Sequence, residues 1–328
     1  MNNPCIGTPR PRKVHNRLMA RPVTVISTGG TIAMAGPGGG AVPALGADAL
    51  IEGLGVPVHT RDVVNKPSVQ LEPADVVAIG RAVAEELDGG RAVVVTCGTD
   101  CLEEVAVALD AWSDGPVVLT GAMRHAGLPG ADGPANVADA VTVAGSLERG
   151  VVVCFAGEVH AARELRKVDS TSVRAFGSPG TGPLGRVAEG TLRLHREAPR
   201  TPVLAPPAFE ARVEVALAGL AGDGSAVRAL AAIADGLVIV VLGAGHTPPP
   251  FLEAVRSAAE SVPVVATVRP QRGEVLRSTY AFEGAEPDLW ASGAVVAGHL
   301  SPAAARVLLV AWLGAGSDRP DLGTFLAP

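Results

Sequence analysis

Five side chains in this sequence have the types and spacing for hydrolytic chemistry. Thr28 and Thr31 flank the glycine pair of Ser27-Thr28-Gly29-Gly30-Thr31, Thr99 and Asp100 are adjacent in Gly98-Thr99-Asp100, and Lys167 lies in Arg163-Glu164-Leu165-Arg166-Lys167-Val168-Asp169. A threonine hydroxyl is a poor nucleophile at neutral pH and needs a base. A lysine desolvated beside a carboxylate can relay the proton. The lysine matters because the chain has only three, Lys13, Lys66 and Lys167, among 27 basic residues. Codon bias explains the scarcity, and under such bias a mid-chain lysine marks a place where a compact ammonium serves and a guanidinium does not.

These residues need strands to hold them. Val23-Thr24-Val25-Ile26 is a β-branched apolar run that delivers Thr28 to a glycine turn, where a substrate can approach the main chain. Ala92 to Thr96 repeats the grammar, with Cys97-Gly98-Thr99-Asp100-Cys101 as its polar exit, and Pro116 to Thr120 ends at Gly121-Ala122-Met123-Arg124. Val151 to Phe155 is a further strand. Helices are expected over 47–54, 74–87, 102–112 and 136–147, with Pro73 in the first turn of the second and a Gly89-Gly90 stop. A short strand is expected over 56–59. Alternating strands and helices predict a parallel sheet covered on both faces, with ligands beyond the carboxyl ends of its strands. Hydroxyls at three such ends, Thr28/Thr31, Thr96/Thr99 and Thr120, are expected to converge.

From 177 to 207 the pattern dissolves into Pro, Gly and Arg, and alternation resumes with strands over 213–220, 237–242 and 264–268 and helices over 225–234, 250–261 and 301–313. The expected organisation is a disordered leader over 1–20, an N-terminal catalytic domain over 21–198 (flavodoxin-like), a linker over 199–211 and a smaller α/β (Rossmann-like) domain over 212–328. The Gly36 to Gly46 stretch reads as a mobile lid beside Thr28. Neither a phosphate loop nor a dinucleotide fingerprint is present, because the glycine spacing and a terminal Lys-Ser or Lys-Thr are missing. A net charge of -6 argues against a nucleic-acid surface. No apolar run approaches the length of a membrane helix. The scatter of Cys5, Cys97, Cys101 and Cys154 fits reduced thiols in a cytoplasmic protein better than a zinc site or a disulfide framework.

Taken in order, Ser27-Thr28-Gly29-Gly30-Thr31-Ile32-Ala33, Gly98-Thr99-Asp100 with Glu103-Glu104, and Pro116 to Arg124 with Asp132-Gly133-Pro134 and Asn136 resemble the bacterial L-asparaginase family. The likeness runs on through Ser178-Pro179 and Gly182-Pro183-Leu184-Gly185, over about residues 22 to 315. The resemblance implies hydrolysis of the side-chain amide of L-asparagine, with L-glutamine as a weaker substrate. Thr28 would be the nucleophile, Thr99, Asp100 and Lys167 the proton-handling trio, and the N–H groups of Thr99 and Ala122 the oxyanion donors. Ser68 and Gly98 would hold the α-carboxylate and Asp100 the α-ammonium. Glu286 would close the site of a neighbouring subunit, in a tetramer built from close dimers. No metal or organic cofactor is implied.

The sequence departs from the family pattern in several places. Cys97 replaces a histidine, Cys101 a threonine, Val69 a glutamine and His246 an asparagine. No tyrosine follows Thr28, and the single tyrosine, Tyr280, lies in the other domain. Packing roles are expected for Cys97 and Cys101, and Gln70 is a substitute for the missing glutamine. Two alternatives stay open: an amino-acid-binding or regulatory protein without turnover, and an amidase for glutamine or another amide.

Overall fold

A computed structural model describes residues 21–35, 42–43, 46–204, 208–317 and 319–327. The leader and most of the 36–46 lid lie outside these.

The first strand, Val23–Ser27, is buried along its whole length, as an apolar β-branched run in the middle of a parallel sheet must be. Parallel neighbours flank it. In spatial order the parallel part of the sheet runs His59–Asp62, Val23–Ser27, Ala92–Thr96, Val117–Thr120, Val151–Phe155. By sequence this order is 2-1-3-4-5, the flavodoxin-like arrangement, so its topological switch point falls between the strands that end at Ser27 and Thr96. Alternate residues serve opposite faces. Ile26, Val93 and Val95 pack with Ile79, Leu102, Val105 and Leu109, while Val25 and Val94 pack with Val137, Ala140 and Val141 of the opposite layer.

The covering helices are Pro73–Asp88, Leu102–Trp112 and Gly133–Ser146. The first begins at a reciprocal cap: Glu72 accepts from the Asp75 backbone, the Asp75 carboxylate accepts from the Glu72 N–H, and Pro73 sits in the first turn.

Three antiparallel strands extend the sheet where the sequence pattern suggested none. Glu158–Ala161 folds back on Val151–Phe155, then Gly185–Ala188 and Thr191–Leu194 follow. The two hairpin turns are Ala156-Gly157 and Glu189-Gly190, all four residues having positive φ. Such two-residue turns match strand twist, but the usual signal is Asn-Gly or Asp-Gly. The expected parallel sheet thus carries an antiparallel edge of three strands, and 185–194, which the sequence pattern left irregular, belongs to it.

Other limits shift by a few residues. The helix expected over 47–54 is Ala47–Leu50, and the strand expected over 56–59 is His59–Asp62. A separate four-stranded parallel sheet, Val213–Leu217, Gly236–Val241, Val264–Val268 and Val295–Val296 in sequence order, forms the C-terminal part. Its helix Pro302–Gly314, with Ser301 as N-cap, packs Leu308 and Ala311 in one core with Val107 and Ala111 of the N-terminal layer.

Candidate active site

The crevice at the switch point is lined by the two loops that leave Ser27 and Thr96. Thr28 is buried, and its hydroxyl donates to the Thr96 carbonyl at 2.8 Å. The turn after it is locked onto a neighbouring segment: the Gly30 N–H donates to the Lys66 carbonyl at 3.1 Å and the Lys66 N–H to the Thr28 carbonyl at 3.4 Å. Both glycines are required there. Gly30 has φ 82 and ψ -175, and a Cβ on it would lie 2.4 Å from the Gly98 Cα and N. The Thr28 turn and the Gly98 loop therefore touch backbone to backbone, which needs glycine at position 30, while Gly98 must lack a Cβ to admit Ser68.

From that contact the second loop presents its side chains. Lys167 Nζ donates to Thr99 Oγ1 at 3.1 Å and to Asp100 Oδ1 at 3.0 Å. Lys167 arrives on a two-residue strand, Arg166–Lys167, paired antiparallel with Phe176–Gly177. Its own N–H donates to the carboxylate of Glu103, in the first turn of the helix that follows Asp100. One helix start thus carries both the acid that binds the ammonium and the acid that fixes the backbone behind it. Burial pushes the Glu103 carboxyl up, opposed by the Lys167 N–H it accepts from.

Ser68 is buried beside this pair. Its hydroxyl accepts from the Cys101 N–H at 3.3 Å, and a Cβ on Gly98 would meet Ser68 Oγ at 2.7 Å. Val69, in contrast, is exposed, as is Gln70. Ala122 is fully buried, and its loop is pinned from both sides. Asp132 accepts from the N–H groups of Met123 (3.0 Å) and Arg124 (2.9 Å), and the Asn136 amide donates to the Gly121 carbonyl at 2.9 Å.

The convergence of hydroxyls is smaller than the strand ends suggested. Thr120 donates to the Cys154 carbonyl at 2.8 Å, back into the sheet, and Thr96 is fully buried. Cys97 is fully buried, and that burial pushes its thiol up to about 12, with Thr28 and the Gly98 backbone opposing weakly through hydrogen bonds. Burial and the acidic neighbours led by Glu104 likewise raise Cys101. Both thiols stay protonated at neutral pH, as packing residues would.

The order and spacing of these motifs, now joined in one crevice, match the family model for the asparaginase N-terminal domain over residues 22–200, and the glutaminase/asparaginase C-terminal domain matches over 212–326. The chain belongs to the asparaginase family. A probable L-asparaginase of Deinococcus radiodurans is 38% identical over 311 residues, covering 92% of this chain and 95% of that protein. An L-asparaginase of Thermococcus kodakarensis is 33% identical over 315 residues, covering 91% and 94%. A solved structure, the thermostable L-asparaginase from Thermococcus kodakarensis, superposes with a TM-score of 0.80 at 30% identity, covering 90% of this chain and 94% of that one.

In this asparaginase-family chain Glu286 stands apart from the crevice. It opens the short helix Glu286–Trp290 and is fully buried. Its carboxylate accepts from the N–H groups of Thr279 (2.5 Å) and Tyr280 (2.9 Å) and contacts His246 Nε2 at 3.2 Å, all within the C-terminal part. Burial would raise its pKa, but the backbone donors at its helix start and at Tyr280 and Thr279, with His246, hold it below the usual carboxylate range. Sequence reasoning missed the supporting residues Lys66, Glu103, Asp132 and Asn136 as positioning groups. Three of the four lie within quoted motifs, where an acidic or amide residue at a helix start is the available signal.

Proposed function

We propose that the protein is an L-asparaginase that hydrolyses the side-chain amide of L-asparagine to L-aspartate and ammonia. The observation that carries this reading is the Lys167 ammonium bridging Thr99 Oγ1 and Asp100 Oδ1, in the crevice that also receives Thr28. Thr28 Oγ attacks the amide carbon; the Lys167 ammonium gives a proton to the amide nitrogen and is refilled from the Thr28 hydroxyl by way of Thr99, so no net proton is needed. The N–H groups of Thr99 and Ala122 take the charge that develops on the amide oxygen. The tetrahedral species collapses as the protonated nitrogen departs as ammonia, leaving an ester on Thr28 that water cleaves through a second such species. Ser68 and Gly98 hold the substrate α-carboxylate, and Asp100 its α-ammonium. The name of the matching C-terminal domain makes L-glutamine a second substrate to test. One extra methylene is worth only about 1–3 kcal/mol of discrimination in a fitted pocket.

Residues 21–198 supply the nucleophile and relay, 199–211 link, and 212–328 supply Glu286. The family likeness assigns Glu286 to the site of a second subunit, in a tetramer of close dimers, and its own hydrogen bonds all lie within the C-terminal part. Tyr280 and Phe282, exposed beside it, suit burial against that subunit. Cys97, Cys101 and Cys154 are unpaired thiols, and no helix among the described residues is long and apolar enough to cross a membrane. The unpaired thiols support an assignment to the cytoplasm.

Ammonia release from L-asparagine and L-glutamine, measured side by side, tests the reading. Turnover of asparagine above glutamine is expected; silence on both, from protein that still binds L-aspartate, would favour a binding protein without turnover.

A further inference from the structure

A second cationic hollow lies on the far side of the strand that carries Lys167. It has a volume of about 110 Å³ and is framed by Arg163, Glu164, Arg166, Thr181, Thr201 and His299, the last from the C-terminal part. Its floor is the buried Arg163, whose Nε donates to Asp110 at 2.6 Å and whose Nη1 donates to the Phe325 carbonyl at 2.9 Å. The remaining nitrogen, Nη2, is buried and has no hydrogen-bond partner among the described residues. A guanidinium N–H left unsatisfied in the interior is costly, and such groups are almost always given an acceptor.

The charges around the hollow are unevenly paired. Asp110 balances Arg163, and Glu164 is paired with Arg196, which also donates to the Gly182 carbonyl. Arg166 has no carboxylate partner among the described residues; its guanidinium reaches only the His299 carbonyl, at 3.4 Å. Glu103, which accepts the Lys167 N–H, faces Arg166 at longer range, so this guanidinium is offset but not paired and its donors are free for an acceptor. His299 and Thr181 are exposed at the mouth, so the hollow opens to solvent.

We propose that this hollow is a binding site for one small oxyanion, a monocarboxylate or an inorganic sulfate or phosphate, gripped by Arg163 and Arg166 with the Thr181 hydroxyl and His299 at its rim, while the Thr201 hydroxyl donates to Asp110. Guanidinium groups suit such anions because their N–H donors match paired oxygens. The volume excludes anything much larger. The site is distinct from the loops of Thr28 and Thr99, and is joined to them by the Arg166–Lys167 backbone and by Glu103, which accepts the Lys167 N–H and faces Arg166.

Partial desolvation and the charges of Arg163 and Arg166 lower the His299 pKa, against Glu164 and a backbone bond to Leu326. A bound anion offsets the two arginines, so His299 takes up a proton more readily when the site is filled. The test uses the full-length protein in chloride-free buffer of constant ionic strength. Sulfate and acetate are titrated in turn, with the His299 ring resonance and calorimetry as readouts. Saturable binding of either anion is expected, with an upward shift of the His299 titration, and the tighter of the two tells which source of oxyanion the site suits. Arg166→Gln removes a charge-assisted contact and lowers affinity about tenfold or more. His299→Gln, a change at the exposed mouth, provides a second variant if the first misfolds, and it abolishes the pH dependence of binding. Non-saturable effects that are equal in wild type and both variants would overturn the proposal.

Discussion

The contact between Gly30 and Gly98 makes the sharpest prediction, because its cost can be worked from the coordinates. In Gly30→Ala the new Cβ sits 2.4 Å from the Gly98 Cα and N, against an ordinary carbon contact of about 3.5 Å, so the two loops must part by roughly 1 Å. The backbone at φ 82 and ψ -175 is in a region that only glycine populates, which adds about 1–3 kcal/mol of strain. Overpacking adds about 1–3 kcal/mol more. The expected destabilisation is about 2–6 kcal/mol, a large part of the roughly 5–15 kcal/mol of a typical domain. A shift of ~1 Å between the loop bearing Thr28 and the loop bearing Thr99 is expected to lower kcat by on the order of 100-fold in whatever fraction stays folded. Urea denaturation gives the first quantity and ammonia release per folded molecule the second. Gly90→Ala is the control: its φ is also positive, at 77, but a Cβ there meets nothing within 4 Å. It carries backbone strain alone, far from the crevice. If Gly30→Ala matches Gly90→Ala in both stability and activity, the two loops are not held by this contact and the assembled site described above is wrong.

Other consequences are more local. Lys167→Met is expected to lower kcat by about 10²–10⁴-fold, the usual worth of a positioned acid or base. Its urea midpoint should barely move, since the Asp100 side chain is 64% exposed and such a pair contributes at most about 1 kcal/mol. Asp110→Asn breaks the buried ion pair with Arg163 and should cost about 3–5 kcal/mol of stability; a urea midpoint unchanged from wild type would contradict it. Glu86 gives a pH signature. Burial pushes its carboxyl up, but Arg91, the Thr24 hydroxyl and Arg61 outweigh that and hold it below its usual range. A depressed folded pKa means stability that is present above the unfolded pKa and lost as pH falls through the folded one. The stability gap between wild type and Glu86→Gln should therefore narrow on acidification, and a gap that widens would refute the assignment.

Much of this was legible in the residues themselves. The parallel strands announced themselves because a strand buried on both faces is an unbroken apolar run, and the prolines and glycines at Pro73 and Gly89 mark helix ends by their own backbone limits. What the residues could not show is the company each strand keeps. Glu158–Ala161 and the 185–194 hairpin read as loop, since Ala156-Gly157 and Glu189-Gly190 are turns built on residues that rarely take positive φ, and outer strands need less apolar surface. Thr120 looked like a third crevice hydroxyl because strand alternation decides its direction, and the register is a property of the sheet. Thr28, Thr99, Asp100, Lys167, Ser68 and Gly98 were assigned from motifs and the family likeness; of the residues that hold them, Lys66 acts through its own backbone and the Glu103 carboxylate grips a backbone N–H, contacts that leave little trace in side-chain pattern. Glu286 is a case where geometry within one chain is silent on the role the family likeness implies.

Thr28 as nucleophile is the claim on which the account turns. Ammonia release from L-asparagine by wild type and by Thr28→Ala, at equal concentrations of protein with equal urea midpoints, tests it most directly. The account predicts turnover in the first and none above background in the second; ammonia released by Thr28→Ala at a rate near wild type would contradict it.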